Sequence, residues 1–388
     1  MEICFTPEQE TWREEVRDFL DRELPPEKEF NHEFVEDPGL WEFAWDFTRK
    51  VGAKGWIGLT WPKEYGGLER TPIEKTIMME EFAYREAPLI NLIGWGLAAG
   101  SLLVGGTHEQ KVKFLPAIAK METFWAEGLT EPDAGSDLAS LQTSAVRDGD
   151  HWVVNGQKTY TTWGTHADVL YLAARTNPDV PKHKGISIFC LDLKLPGISF
   201  SPLFNLAGGR QNHTYLDNVR VPHDMLVGEE GMGWYYIMNA FYGGGGGYAG
   251  HSKFQRMLDD VVAYCKETTR YGKPLIKDPT VRHELANLAI TVETLKLLTY
   301  EGLSAAKTKE PPAFGGAMGV VISKEAQPLF AQAITRIVGP MSQVKKGKWA
   351  PMAGHAEEWY RGSYANHAGG TPQVKRMVLA TRGLGLPR

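Results

Sequence analysis

Apolar positions recur at helical spacing from the start of the chain. Thr6-Pro7-Glu8-Gln9 sets a hydroxyl at an N-cap, proline at the first helical position and glutamine where it closes a capping box. Trp12, Val16, Phe19 and Leu20 then share one face. Pro25-Pro26 ends this helix, because proline removes the hydrogen bonds that would continue it. After an aromatic, glycine-rich turn between Gly52 and Gly67, helical patterns run over Glu74 to Tyr84 and Glu109 to Lys120. Near Phe124 the pattern changes to short apolar runs divided by turn residues. Trp152-Val153-Val154 leads into Asn155-Gly156, which reads as a hairpin turn. Val169 to Ala173 and Ile186 to Leu191 read as strands, and Asp217 to Pro222 as a last strand stopped by proline. Helical spacing returns with Phe254, Met257, Leu258, Val261, Val262 and Cys265, then over Thr280 to Lys307 and Lys324 to Val338. Helices, a block of strands, then helices indicate an α+β architecture with three segregated domains.

Composition narrows the class. The 388 residues are 43% hydrophobic and 23% charged, ordinary for a soluble globular chain. A net charge of −5 argues against nucleic acid or an anionic membrane as partner. Lys345, Lys346 and Lys348 cluster beside a glycine and read as a solvated loop. Cys4, Cys190 and Cys265 form no CxxC pair and no disulfide framework, which fits a reducing cytoplasm. The N-terminus lacks the basic flank and apolar run of a signal peptide, and no apolar stretch approaches the ~18 residues of a membrane span. The expected location is cytoplasmic.

The segment Leu129-Thr130-Glu131-Pro132-Asp133-Ala134-Gly135-Ser136-Asp137 is a strand end followed by a turn, with hydroxyls and backbone N–H groups free to face a ligand. Such a turn suits phosphate or a polar heteroring. Taken alone it is also an ordinary polar turn.

This segment resembles the TEP-x-AGSD signature of the acyl-CoA dehydrogenase family. The resemblance extends to Val154-Asn155-Gly156-Gln157-Lys158, Tyr160-Thr161-Thr162, Val219-Arg220-Val221-Pro222 and Val227-Gly228. Gly55-Trp56, Trp61 to Gly67 and the terminal Leu384-Gly385-Leu386-Pro387-Arg388 also match, in order. It implies a helical N-terminal domain over 1–123, a central β-domain with flavin contacts over 124–233 and a C-terminal four-helix bundle over 234–388. It implies FAD as cofactor, an acyl-CoA thioester as substrate, electron-transferring flavoprotein as electron acceptor, and a homo-oligomer or a heteromer with a related chain. By motif position Leu129 and Thr130 face the flavin ring, with Gly135 and Ser136 at the FAD phosphates. Tyr160 stands where the family has tryptophan beside the flavin, and Thr162 keeps the hydroxyl near it. Thr371 and Gln373 match a G-T-x-Q segment at the adenosine half. Two departures touch that half. The family's arginine position holds Thr268, with Arg270 two residues on as the substitute, and the usual Q-x-x-G-G reads Arg336-Ile337-Val338-Gly339-Pro340.

A third departure concerns chemistry. Desaturating an acyl thioester requires a base for the proton beside the carbonyl, and a desolvated carboxylate serves. The family's glutamate falls at one of two places, which here are Gly369 and Tyr242-Gly243. Loss of a general base costs about 10²–10⁴-fold in rate. The backbone N–H of Gly369 remains as a donor for a thioester carbonyl. The five-glycine run Gly243 to Gly247 delays the start of the next helix. It either opens room for a bulky or cyclic acyl group, brings backbone N–H groups to an anion, or forms a flexible loop in a subunit that does no chemistry.

No catalytic residue is assigned from sequence. Glu127 precedes the turn and either faces the pocket or is an ordinary paired glutamate; His213 and His367 read as structural. Gly245 and Gly250 mimic P-loop spacing, but His251 stands where lysine is needed. No HExxH or Gly-x-Ser-x-Gly pattern occurs, so metal and serine-hydrolase chemistry are not indicated. Three readings remain: an FAD enzyme for an unusual bulky, cyclic or β-substituted acyl-CoA, a non-catalytic FAD-supporting subunit of a heteromer, and a flavin-dependent oxygenase.

Overall fold

A computed structural model describes residues 4–25, 38–206, 210–242, 250–305, 315–363 and 368–387. The helices in chain order begin with α1 (Pro7–Glu23), α2 (Pro38–Ala53), α3 (Pro72–Tyr84), α4 (Ala99–Gly105) and α5 (His108–Ala119). They continue with α6 (Gly233–Tyr242), α7 (Gly250–Glu267), α8 (Pro279–Ala305), α9 (Gly315–Val338), α10 (His355–Gly362) and α11 (Pro372–Val378). Between α5 and α6 lie β1 (Trp125–Gly128), β2 (Ser144–Asp148), β3 (His151–Lys158) and β4 (Val169–Arg175). The same block holds β5 (Ile186–Asp192), β6 (Ile198–Phe204) and β7 (Arg210–Pro222). A small hairpin, β8 (Thr269–Arg270) and β9 (Lys273–Pro274), follows α7. The order is the expected α+β one of helices, sheet, helices.

The chain forms two compact units. One gathers Met1–His32, Pro72–Ala87 and Gly245–Arg388; the other gathers Glu33–Thr71 and Pro88–Gly244. In the first, α1 opens with the expected capping box, Thr6 and Gln9 bonding each other's backbone N–H, and buries Trp12, Val16, Phe19 and Leu20. The indole of Trp12 donates to Glu74 O of α3 at 2.8 Å. The apolar stripe of α7 buries Phe254, Met257, Leu258, Val261 and Cys265 against Leu288 of α8 and Phe330 and Ile334 of α9. The α9 helix starts nine residues before the expected Lys324, at Gly315. Gly315, Gly316 and Gly319 each cost a helix about 1 kcal/mol relative to alanine, and the packing of the remaining apolar face outweighs that cost. The glycine run Gly243 to Gly247 lies outside the described residues.

The second unit is built on a seven-stranded sheet, with order β1-β4-β2-β3-β7-β6 and β5 paired to β4. The strands β4 and β5 are buried on both faces, which explains their continuous apolar runs. The expected hairpin at Asn155-Gly156 is not a turn. The strand β3 runs through both residues, with a register shift against β7 between Val154 and Gly156, and the chain instead reverses at Gly149 (φ +63°). Gly156 serves a close approach: a Cβ there would lie 2.5 Å from Thr143 Oγ1 and 2.7 Å from Thr143 Cα. Among the described residues no helix is long and apolar enough to cross a membrane.

Gly156→Ala should therefore destabilise the protein by about 1–3 kcal/mol through overpacking. A urea melt checks this: a lower midpoint with unchanged slope is expected, and an unchanged midpoint would contradict the close approach.

Candidate active site

The turn that follows β1 stands on a buried ion pair. Lys158, at the end of β3, has no exposed side-chain surface and donates to Glu131 Oε1 at 2.8 Å and to Leu129 O at 3.1 Å. The second oxygen of Glu131 accepts from Gln142 N at 2.6 Å, while Oε1 also accepts from Thr143 N at 2.8 Å. Desolvation brings the Lys158 ammonium down to about 8, only partly offset by the carboxylate beside it. For Glu131 burial pushes upward, but the Lys158 charge and the converging donors outweigh it and hold the carboxyl below its ordinary value. Above the turn, Glu131 and Ala134 exchange backbone bonds at 3.2 and 3.1 Å.

A second loop is tied to the first. Thr159 N donates to Thr130 O at 2.9 Å, and Tyr160 follows with φ +60° and 50% of its surface exposed. A left-handed non-glycine residue costs about 1–3 kcal/mol and persists only where its surroundings hold it. Here they do: buried Thr161 donates through N to Asn212 O at 2.9 Å and accepts from Asn212 Nδ2 at 3.1 Å and Thr214 Oγ1 at 2.9 Å. Thr162 Oγ1 donates to Tyr160 O at 3.4 Å and accepts from Gln211 Nε2 at 3.2 Å. Trp163 (φ +61°) then packs on Trp41 of α2, ring centroids 4.7 Å apart, in a cluster with Trp45 and Phe124.

Leu129, Thr130, Gly135, Ser136, Tyr160 and Thr162 thus lie on two joined loops of one unit. Leu129 is buried, and no described residue bonds the hydroxyls of Thr130 or Ser136. Gly135 and Ser136 are exposed, and a Cβ at Gly135 would meet nothing within 4 Å. Open space and free hydroxyls on a stiffly held turn fit the polar heteroring and phosphate expected there.

Arg270, Thr371 and Gln373 belong to the other unit. Arg270 lies on the hairpin and donates to Ile337 O at 2.6 Å; Thr371 caps α11 by accepting from Val374 N at 3.2 Å; Gln373 is exposed on that helix's first turn. Gly369 has φ +69°, a left-handed conformation that favours glycine. Gly243 and His367 lie outside the described residues, and the Tyr242 side chain is likewise not described.

His213 accepts or donates through Nδ1 with Thr159 Oγ1 at 2.9 Å, inside the scaffold. Glu127, on β1, has no hydrogen-bond or ion-pair partner among the described residues, and desolvation raises its carboxyl to about 7. The pairing of Glu131 with Lys158 escaped the sequence reading. Its one visible signal is that Lys158 keeps the inward parity of Trp152 and Val154 on β3.

With this geometry in place, the comparisons with known proteins are decisive on class. Models of the acyl-CoA dehydrogenase N-terminal, middle and C-terminal domains match residues 6–122, 126–219 and 231–384. The chain belongs to the acyl-CoA dehydrogenase family of oxidoreductases. It is similar to acyl-CoA dehydrogenase FadE26 of Mycobacterium tuberculosis, with 32% identity over 398 aligned positions that cover 100% of this chain and 99% of the relative. Among solved structures it is similar to the Tcur3481-Tcur3483 steroid ACAD (TM-score 0.90, 31% identity, 100% of both chains). It is also similar to the ChsE4-ChsE5 complex from Mycobacterium tuberculosis (TM-score 0.89, 32% identity, 100% of both chains).

The state of Glu127 gives a pH prediction. Its folded pKa lies above the ordinary 4.5, so between pH 4.5 and about 7 the folded chain binds more protons than the unfolded one, and stability falls as pH rises through that window. Glu127→Gln should stabilise the fold by up to about 3 kcal/mol at pH 8 and have little effect at pH 4. Denaturant melts at the two pH values check this; equal effects at both would contradict the desolvated carboxyl.

Proposed function

We propose that this chain binds FAD on the 129–136 turn and the 160–162 loop and oxidises a bulky, cyclic or β-substituted acyl-CoA thioester. The observation that carries the reading is the turn itself, held by Lys158 and Glu131 with the Thr130 and Ser136 hydroxyls unpartnered on its outer face. Leu129, Thr130, Tyr160 and Thr162 would hold the flavin ring, and Gly135 and Ser136 the phosphates. Arg270, Thr371 and Gln373 would serve the adenosine half. When bound, FAD would supply a two-electron acceptor for the hydride that leaves the acyl β-carbon, and the α-proton would pass to an unassigned base that stands at neither of the two usual positions. Leu129 and Tyr160 would orient the ring and shield it from water, and the Gly369 N–H would be a donor for a thioester carbonyl. A ring-bearing substrate is supported by the similarity to a steroid ACAD and by the absence of a side chain at Gly369. Electron-transferring flavoprotein is the proposed acceptor.

A second reading, a FAD-supporting subunit without chemistry of its own, is favoured by one observation. The two similar solved structures each name a pair of chains. Gly369, at one of the two base positions, is compatible with it.

Both readings are separated by purifying the chain alone and titrating it anaerobically with straight, branched and cyclic acyl-CoAs. Bound flavin bleached by the cyclic class, and less by straight chains, is the expected result. Flavin that no thioester bleaches until a related chain is added would replace the first reading by the second. A flavin-free chain that gains no flavin with any partner would contradict both.

A further inference from the structure

Strand β1 carries one acidic side chain, Glu127, among buried neighbours, and it alone on the strand keeps some exposed surface. It pairs in parallel register with Tyr171 of β4, so both side chains leave the sheet on one face. The Tyr171 hydroxyl lies 2.6 Å from Ser101 Oγ of α4. Trp125, two residues earlier on the same face, packs edge-on against Phe114 of α5, ring centroids 5.6 Å apart. The face is therefore the one that α4 and α5 cover. Asn91 anchors a π-helical turn, Ile93–Ala98, at the same place: its Oδ1 accepts from Trp125 N at 2.9 Å and its Nδ2 donates to Thr123 O at 2.9 Å. Single π-turns concentrate at functional positions.

Among the described residues, buried Glu80 meets Arg13 at 3.1 Å, His251 at 3.3 Å and the Tyr300 hydroxyl, and Glu131 meets Lys158 at 2.8 Å. Glu358 is also raised to about 7, by burial and by the charge of Glu86, but His355, Lys253 and Arg361 lie in its field. Glu127 has no such company among the described residues, and a desolvated carboxyl without a partner is retained against its cost only where something else satisfies it.

We propose that Glu127 is a specificity residue that binds a hydroxyl or keto oxygen on the acyl group, so that the substrates are oxygenated acyl-CoAs. The inference deepens the function proposed above and rests on it, because the acyl chain must pass the Leu129–Thr130 turn. Two residues of strand separate Glu127 from Leu129, about 7 Å, which sets the oxygen away from the reacting carbons. In either protonation state the carboxyl accepts from a hydroxyl; neutral, it also donates to a ketone. An unsubstituted chain in the same place leaves the carboxyl unmet.

The test uses the flavin-loaded protein as purified and isothermal titration calorimetry. The probes are a ladder of ω-hydroxyacyl-CoAs of increasing length, each compared with the unsubstituted acyl-CoA of equal length. At one length the hydroxyl should tighten binding by about 10–100-fold. Glu127→Gln should keep part of that preference, and Glu127→Leu should abolish or reverse it. Circular dichroism confirms that each variant is folded, and the glutamine variant carries the test if the leucine variant is not. Absence of a hydroxyl preference at every length, or its survival in the leucine variant, would overturn the proposal. So would a glutamine variant that binds every thioester normally yet loses flavin bleaching by all of them, since that marks a proton-transfer group. A hydroxyl preference without flavin bleaching by any thioester would sink the dehydrogenase reading and leave oxygen recognition standing, whereas no binding of any acyl-CoA would overturn both.

Discussion

The buried pair of Lys158 and Glu131 is the constraint from which the rest of the site follows. Two charges withdrawn from water cost several kcal/mol each unless geometry and hydrogen bonds compensate. Here three donors converge on the carboxylate, and the ammonium spends a second bond on Leu129 O. The pair joins the turn after β1 to the end of β3, and Thr159 N extends the joint to the loop that displays Tyr160. A polar turn between strands is ordinarily soft. This one is clamped from below, so that its outer hydroxyls are fixed before any ligand arrives, and preorganisation of that kind is what makes a weakly polar surface bind well.

Within the same unit, the residues proposed to hold the cofactor are distinct from the one proposed to meet the acyl group. The clamp, the left-handed Tyr160 and the Thr161–Asn212–Thr214 network all hold the two loops proposed to bind the flavin. Glu127, the proposed acyl contact, shares none of these bonds and has no hydrogen-bond or ion-pair partner among the described residues. A scaffold whose cofactor cradle and substrate lining are set by different residues can alter one without refolding the other.

Much of this was legible in the sequence because it is local. The capping box at Thr6 and Gln9 and the stripe of α7 need only neighbours within a few residues. The apolar runs of β4 and β5 read as strands, and the structure buries them on both faces. Asn155-Gly156 misled, since a bulge and a hairpin turn use the same residues, and what decides between them is Thr143 against the missing Cβ of Gly156. The start of α9 was missed because glycine propensity says nothing of the partner a helix packs against. The clamp itself spans 27 residues between Glu131 and Lys158, and Ser101 meets Tyr171 across 70. Contacts of that range are set by sheet register, which no local pattern records.

The most direct measurement is the flavin dissociation constant of Glu131→Gln beside that of the double variant Lys158→Met/Glu131→Leu, with unfolding free energies for both. The account predicts that Glu131→Gln loses about 3–5 kcal/mol of stability, because a buried ammonium is left without its counter-charge. It predicts that the double variant recovers most of that stability yet binds flavin at least ~10-fold more weakly than the native chain, having lost the joint that positions the turn. Native flavin affinity in the double variant would contradict the claim that this pair organises the site.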